Sequence, residues 1–101
     1  MTEERSATQL NYQLPTDVTL KHAAKLSIIN DKPILLDYWT NSLDKKAMIG
    51  AKTNGEKLLV KNEEEYTSTI QKLYKSGDEY IILTENSIYL VSKNIPTRKI
   101  S

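Results

Sequence analysis

The sequence contains no cysteine. That excludes disulfide frameworks, thiolate zinc sites, iron–sulfur clusters and cysteine nucleophiles, and it fits a reducing compartment. Histidine is almost as scarce: His22 is the only one, so there is no second imidazole for a metal cluster. Glycine is limited to three residues. Gly50 and Gly55 are too isolated to form a phosphate-cradling loop, and neither the P-loop nor the dinucleotide fingerprint occurs. No serine sits in a G-x-S-x-G elbow. Neither sign of charge is in excess, with 14 Lys+Arg against 13 Asp+Glu. The balance holds in both halves of the chain, so neither is a basic patch of the kind that marks nucleic-acid domains. No apolar run approaches the roughly 18 residues that a membrane span needs. The opening residues, MTEERSATQ, lack the basic-then-apolar order of a secretory signal. A soluble intracellular protein, cytoplasmic or nuclear, with no cofactor, no metal and no membrane partner, is the expectation.

What is present suits one small domain. The chain has 101 residues, enough for a single modest core without a staple. Residues 1–13 read as a flexible N-terminal tail, 14–93 as the domain and 94–101 as an extended C-terminal tail with Ile95 or Ile100 as possible anchors. In the first tail only Ala7, Leu10 and Tyr12 could serve as anchors. Pro15 disfavours helix in the residue before it. Thr16–Ile29 then reads as a helix, with Thr16 as N-cap and Asp17 at the positive end of the helix dipole. Its spacing places Leu20, Ala23, Ala24, Ser27 and Ile28 on one face, opposite Lys21 and Lys25. Asn30–Pro33 is a turn.

Ile34–Trp39 (ILLDYW) has the composition of a strand, in which Asp37 would share a side with Leu35 and Trp39. Thr40–Lys45 reads as a loop or a single helical turn. Lys46–Thr53 and Glu56–Lys61 flank Asn54–Gly55, a strong hairpin signal because both turn residues tolerate positive φ. Asn62–Ser76 carries two signals. Asn62 and Glu65 resemble a helix capping box, whereas YTSTI (Tyr66–Ile70) is poor helix and good strand. The balance favours strand. Glu79–Thr84 and Ser87–Ser92 are the most strand-like segments, apolar on both faces, and so need covering layers on both sides. The predicted fold is therefore α+β: an N-terminal helix packed on a five- or six-stranded, mainly antiparallel meander sheet or small partly open barrel.

Candidate chemistry is sparse. His22 lies near the edge of the helix without a positioned partner, so a surface or boundary histidine is the simplest reading. Asp37, set among Leu35, Leu36, Tyr38 and Trp39, could be desolvated, or it could lie near a strand end with a hydrogen-bond partner. Asp31, Asp37 and Asp44 lack the spacing and glycine of a calcium loop. Glu63–Glu65 reads as a solvated run. No catalytic residue is assigned, and an enzyme is not expected. For binding, Trp39 is a candidate because tryptophan is enriched at interface hot spots, although a core position suits it equally. If Asn62–Ser76 is a strand, Tyr66 and Tyr74 share a face with Lys72 and form a strip for stacking bases. Lys46, Lys52, Lys57 and Lys61 could line the adjoining hairpin. The opposing expectation is that these tyrosines bury their rings and expose their hydroxyls.

Three stretches, KPILLDYW (Lys32–Trp39), GEKLLVKNEEEYTS (Gly55–Ser68) and EYIILTENSIYLVS (Glu79–Ser92), resemble short uncharacterised proteins of large double-stranded DNA viruses of eukaryotes. The resemblance spans about Pro15 to Ser92 and carries no catalytic residue. It implies a virion-associated or infection-specific protein. Together the observations favour a small non-enzymatic structural or protein-interaction domain with a protein partner or a homo-oligomer. The alternative is a single-stranded nucleic-acid module.

Overall fold

The computed structural model describes residues 13–100. The tail expected over 1–13 therefore lies, except for its last residue, outside the described residues. Among the described residues two helices, α1 (Asp17–Asn30) and α2 (Trp39–Leu43), accompany seven strands: β1 (Ile34–Leu35), β2 (Met48–Ala51), β3 (Lys57–Asn62), β4 (Glu65–Ser76), β5 (Glu79–Thr84), β6 (Ile88–Ser92) and β7 (Thr97–Lys99). The strands form one sheet in the order β1-β6-β5-β4-β3-β2-β7. Its five central strands are a meander. The short edge strands β1 and β7 run parallel to β6 and β2, and the sheet does not close into a barrel.

The organising strand is β4. Its first residues, Glu65–Thr69, pair with β3, and its remainder, Ile70–Ser76, pairs with β5. Bulges interrupt both ladders, and a bulge bends a strand and increases its twist. At one of them the Thr67 hydroxyl accepts the Leu59 N–H at 3.1 Å and so replaces a ladder bond. Curling through β4 brings the β2–β3 half over one face of β5–β6. Ile49 and Leu59 meet Ile82 and Val91 there, with Tyr38 and Ile95 completing this first core. The other face of the β5–β6 hairpin presents Ile81, Leu83, Ile88 and Leu90 to Ala23 of α1 and Trp39 of α2, which make the second core. The expected two-faced hairpin is thus covered by helices on one side and by its own sheet on the other. Each fully buried Ile or Leu contributes about 1.5–3 kcal/mol.

Helix α1 begins as its sequence predicts. The Thr16 hydroxyl accepts the Thr19 N–H, and its left-handed C-cap, Asp31 (φ 54°), returns an N–H to the Ser27 carbonyl. Its buried face differs from the expected one. Thr19 and Ala23 are buried, Leu20 and Leu26 pack on the second core, and Ala24 and Ile28 are exposed. The register is set by polar bonds as well as by hydrophobicity. The buried Thr19 hydroxyl meets Ser76 Oγ at 2.9 Å, and Lys32 donates to the Thr84 carbonyl at 2.7 Å. These two contacts tether the helix near both ends of β5.

Three further expectations are corrected. The strand predicted over Ile34–Trp39 stops at Leu35. The chain turns there, with the Trp39 N–H bonded to the Leu36 carbonyl, and enters α2, which buries Tyr38, Trp39 and Ser42 together. The segment expected as an extended C-terminal tail with Ile95 or Ile100 as possible anchors does bury Ile95 in the first core, but it also joins the sheet as β7, because the Ile49 N–H and the Ala51 carbonyl on the edge of β2 need partners. The strand count is therefore seven, where five or six were expected. Asn62–Ser76 resolves as strand. Its capping-box signal is real, but it closes a turn: Asn62 Oδ1 accepts the Glu64 and Glu65 N–H groups, and its amide donates to Glu65 Oε1.

Candidate binding groove

The first core takes one face of the β2–β3 hairpin. Its other face is also apolar. Leu59 and Ile49 point into the core, so Met48, Leu58 and Val60 point away from it. There they floor a groove of about 690 Å³, within the size range of ligand sites. Ile100, just beyond β7, lies across this floor. Glycine at position 50 of β2 leaves room for it. A Cβ there would come within 2.7 Å of Ile100 Cδ1 and 3.1 Å of Val60 Cγ2.

The rim is cationic. Lys45 and Lys46 lead into β2, Lys52 follows it, Lys61 lies near the end of β3 and Arg98 lies on β7. Glu63 is the single carboxylate among the lining residues. Lys61 is partly engaged, 3.9 Å from Glu65 and 4.7 Å above the Tyr38 ring. Among the described residues the other four cations form no ion pair. Tyr66 stands at the groove with 60% of its surface exposed.

Beneath Lys61, Tyr38 packs edge-on against Tyr89, ring centroids 5.3 Å apart. Burial, helped by the charges of Tyr89, Asp37 and Glu65, pushes the Tyr38 phenol up to about 12. Burial also raises Tyr89, with Asp37 adding to the effect. Both phenols are thus held neutral, and the Tyr38 ring face serves as a partner for the lysine.

The residues singled out from sequence separate in space. Tyr66 reaches the groove, as do Lys46, Lys52 and Lys61. Lys57 does not line it. Tyr74 is half-buried against the second core beneath α1, and Lys72 is exposed on β4. The bulge between Ile70 and Lys72 breaks the alternation on which a common Tyr66–Tyr74–Lys72 strip depended. Trp39 is 5% exposed, with its indole N–H donating to the Gln13 carbonyl at 2.7 Å. It is a core residue and no surface hot spot. His22 is exposed on α1, Asp37 is exposed in the turn after β1, and neither lines the groove. Among the described residues no three His, Asp or Glu side chains converge to hold a metal ion, and no helix is long and apolar enough to cross a membrane.

Sequence reasoning missed Met48, Leu58, Val60 and Arg98 as groove residues, and took Ile100 only as a possible anchor of the tail. A signal for the first three existed. Leu58–Leu59–Val60 and Met48–Ile49 are apolar at successive positions, so both faces of the hairpin must be apolar. Arg98 and Ile100 became relevant only once the presumed tail was found in the sheet. Compared with known proteins, the chain matches no family model, no curated protein and no solved structure.

Proposed function

We propose that the chain is a small non-enzymatic protein-interaction domain that holds an acidic, aliphatic-bearing segment of another protein in the groove outside β2, β3 and β7. One observation carries this reading: five cations and a single carboxylate surround an aliphatic floor. Such a site rewards a ligand that brings both apolar surface and negative charge. The test is selection from a peptide display library with the full chain as bait, run beside the Lys46→Glu/Lys52→Glu variant. Enrichment of peptides mixing Asp or Glu with Ile, Leu or Val, lost on charge reversal, is the expected result. No enrichment, or enrichment indifferent to the two lysines, overturns it.

A second reading, single-stranded nucleic-acid binding, draws on the exposed Tyr66 ring beside Lys61. Stacking sites use successive aromatic rings, and here the rest of the floor is aliphatic. Tight oligonucleotide binding that falls steeply with salt, with no acidic peptide bound, would favour it. The resemblance to viral proteins supports a finer version of the first reading, a virion-associated or infection-specific partner-binding protein acting in the cytoplasm or nucleus of a host cell.

A further inference from the structure

The groove has an open side. Among the described residues, β7 ends the sheet, and Thr97, Arg98 and Lys99 are all exposed. The orientation of its backbone follows from two bonds. The Pro96 carbonyl accepts the Ile49 N–H at 2.9 Å, and the Ile100 N–H donates to the Ala51 carbonyl at 3.0 Å. Both groups therefore face β2. Strand alternation then turns the N–H and C=O of Arg98 toward β2 as well, in keeping with its register opposite Gly50. The N–H and C=O groups of Thr97 and Lys99 face outward, where an added strand would find two donors and two acceptors.

The side chains specify which strand fits. Pro96, Arg98 and Ile100 line the groove, so Thr97 and Lys99 lie on the opposite face. A strand added to β7 would meet the order apolar, cation, apolar on the groove face and a hydroxyl and a cation on the other. We infer that the β7 edge takes an acidic extended peptide segment by strand addition, its apolar side chains entering the groove beside Pro96 and Ile100 and its carboxylates facing Arg98 and Lys99. The inference rests on the protein-binding reading of the groove and adds to it the mode of binding. A second copy of the chain is the wrong occupant, since pairing two β7 edges would set Arg98 and Lys99 against their own kind. Like charges opposed across strands are destabilising, and charged edge residues of this sort prevent self-pairing in sheets generally.

The palindromic peptide acetyl-TIEEEIT-amide presents the complementary pattern in either chain direction. In a nuclear magnetic resonance titration of the isotope-labelled full chain, the Thr97 and Lys99 amides become protected from hydrogen exchange by at least roughly tenfold. Methylating the alternate peptide nitrogens that would pair with β7 weakens binding by about tenfold or more, equivalent to roughly 1.4 kcal/mol. Methylating the intervening nitrogens leaves it unchanged. Arg98→Glu abolishes binding of the acidic peptide and admits acetyl-TIKKKIT-amide. Binding that perturbs Met48, Leu58 and Val60, ignores N-methylation and leaves the Thr97 and Lys99 amides unprotected overturns strand addition while the groove reading stands. Absence of acidic-peptide binding at about 1 mM overturns strand addition as well. If oligothymidylate then binds at the same groove, the protein-partner reading falls with it.

Discussion

Glu79 opens β5 and is 4% exposed, yet it is a carboxylate. Its partners lie at the start of α1. Oε1 accepts the Thr16 hydroxyl at 3.0 Å, and both oxygens lie 3.2 Å from the Thr16 N–H. The same hydroxyl caps the helix by accepting the Thr19 N–H. One carboxylate thus holds the N-cap residue, and the cap holds the first turn. The positive end of the helix dipole adds to the fit. Replacing Glu79 by Ala removes hydrogen bonds to a charged acceptor, worth about 1.5–3 kcal/mol, and loosens a cap worth about 1 kcal/mol. The two losses share Thr16, so they are not additive, and we expect about 2–3 kcal/mol in all. Against a total stability of roughly 5–15 kcal/mol for a domain, that is a large fraction. In urea, with a slope of about 1–2 kcal/mol per molar, the midpoint falls by roughly 1–3 M. The Thr16→Ala variant and the double variant complete the cycle. The second substitution should cost less in the background of the first, with a coupling of about 1 kcal/mol. A midpoint unchanged in Glu79→Ala, or strictly additive variants, would refute the account of α1 as tethered through its cap.

Ser42 is fully buried in α2. Its hydroxyl accepts the Ser92 N–H at 2.8 Å and donates to the Trp39 carbonyl at 2.6 Å. Ser42→Ala strands a buried N–H and should cost about 1–3 kcal/mol by thermal or urea unfolding; a neutral result would mean that β6 does not depend on this bond. Gly50→Ala drives a methyl into Ile100 and should destabilise by about 1–3 kcal/mol. Adding Ile100→Ala should recover part of that loss, and failure to recover any would place the clash elsewhere. The phenol of Tyr38 is raised from 10.0 to about 12 in the folded chain. Its neutral form is therefore favoured by folding. The associated stability is complete below pH 10 and lost as pH climbs toward 12, with Tyr89 acting in the same direction. Tyr38→Phe should flatten this alkaline loss when unfolding is followed by circular dichroism, and an unchanged profile would contradict it.

The contrast between two hairpins explains what could be read from sequence. β5–β6 was legible because the evidence is local: alternating apolar residues on both faces, joined by a polar turn in which the Thr84 hydroxyl accepts the Asn86 and Ser87 N–H groups. The Thr16 cap and the Asn54–Gly55 turn were legible for the same reason, since Gly55 takes φ 93°. Local signals misled where a distant contact outweighed them. The face of α1 follows Thr19 and Ser76, fifty-seven residues apart, which no helical periodicity encodes. Strand composition at Tyr38–Trp39 yields to the burial that a turn into α2 permits.

The candidate site was the hardest part to see because it is defined by what long-range pairing leaves over. β2–β3 is apolar on both faces, as β5–β6 is, and the same rule applies: two apolar faces require two covers. Curling of the sheet through β4 covers the Ile49–Leu59 face. On the Met48–Leu58–Val60 face, Ile100 lies across β2 over Gly50. Lys45, Lys46, Lys52, Lys61 and Arg98 line its boundary, with Glu63 as the one carboxylate. Leu58 and Val60 are buried on that face and Met48 is half-buried, beneath this rim of five cations and one carboxylate. The acidic partner we propose would have to match both the apolar floor and this cationic rim.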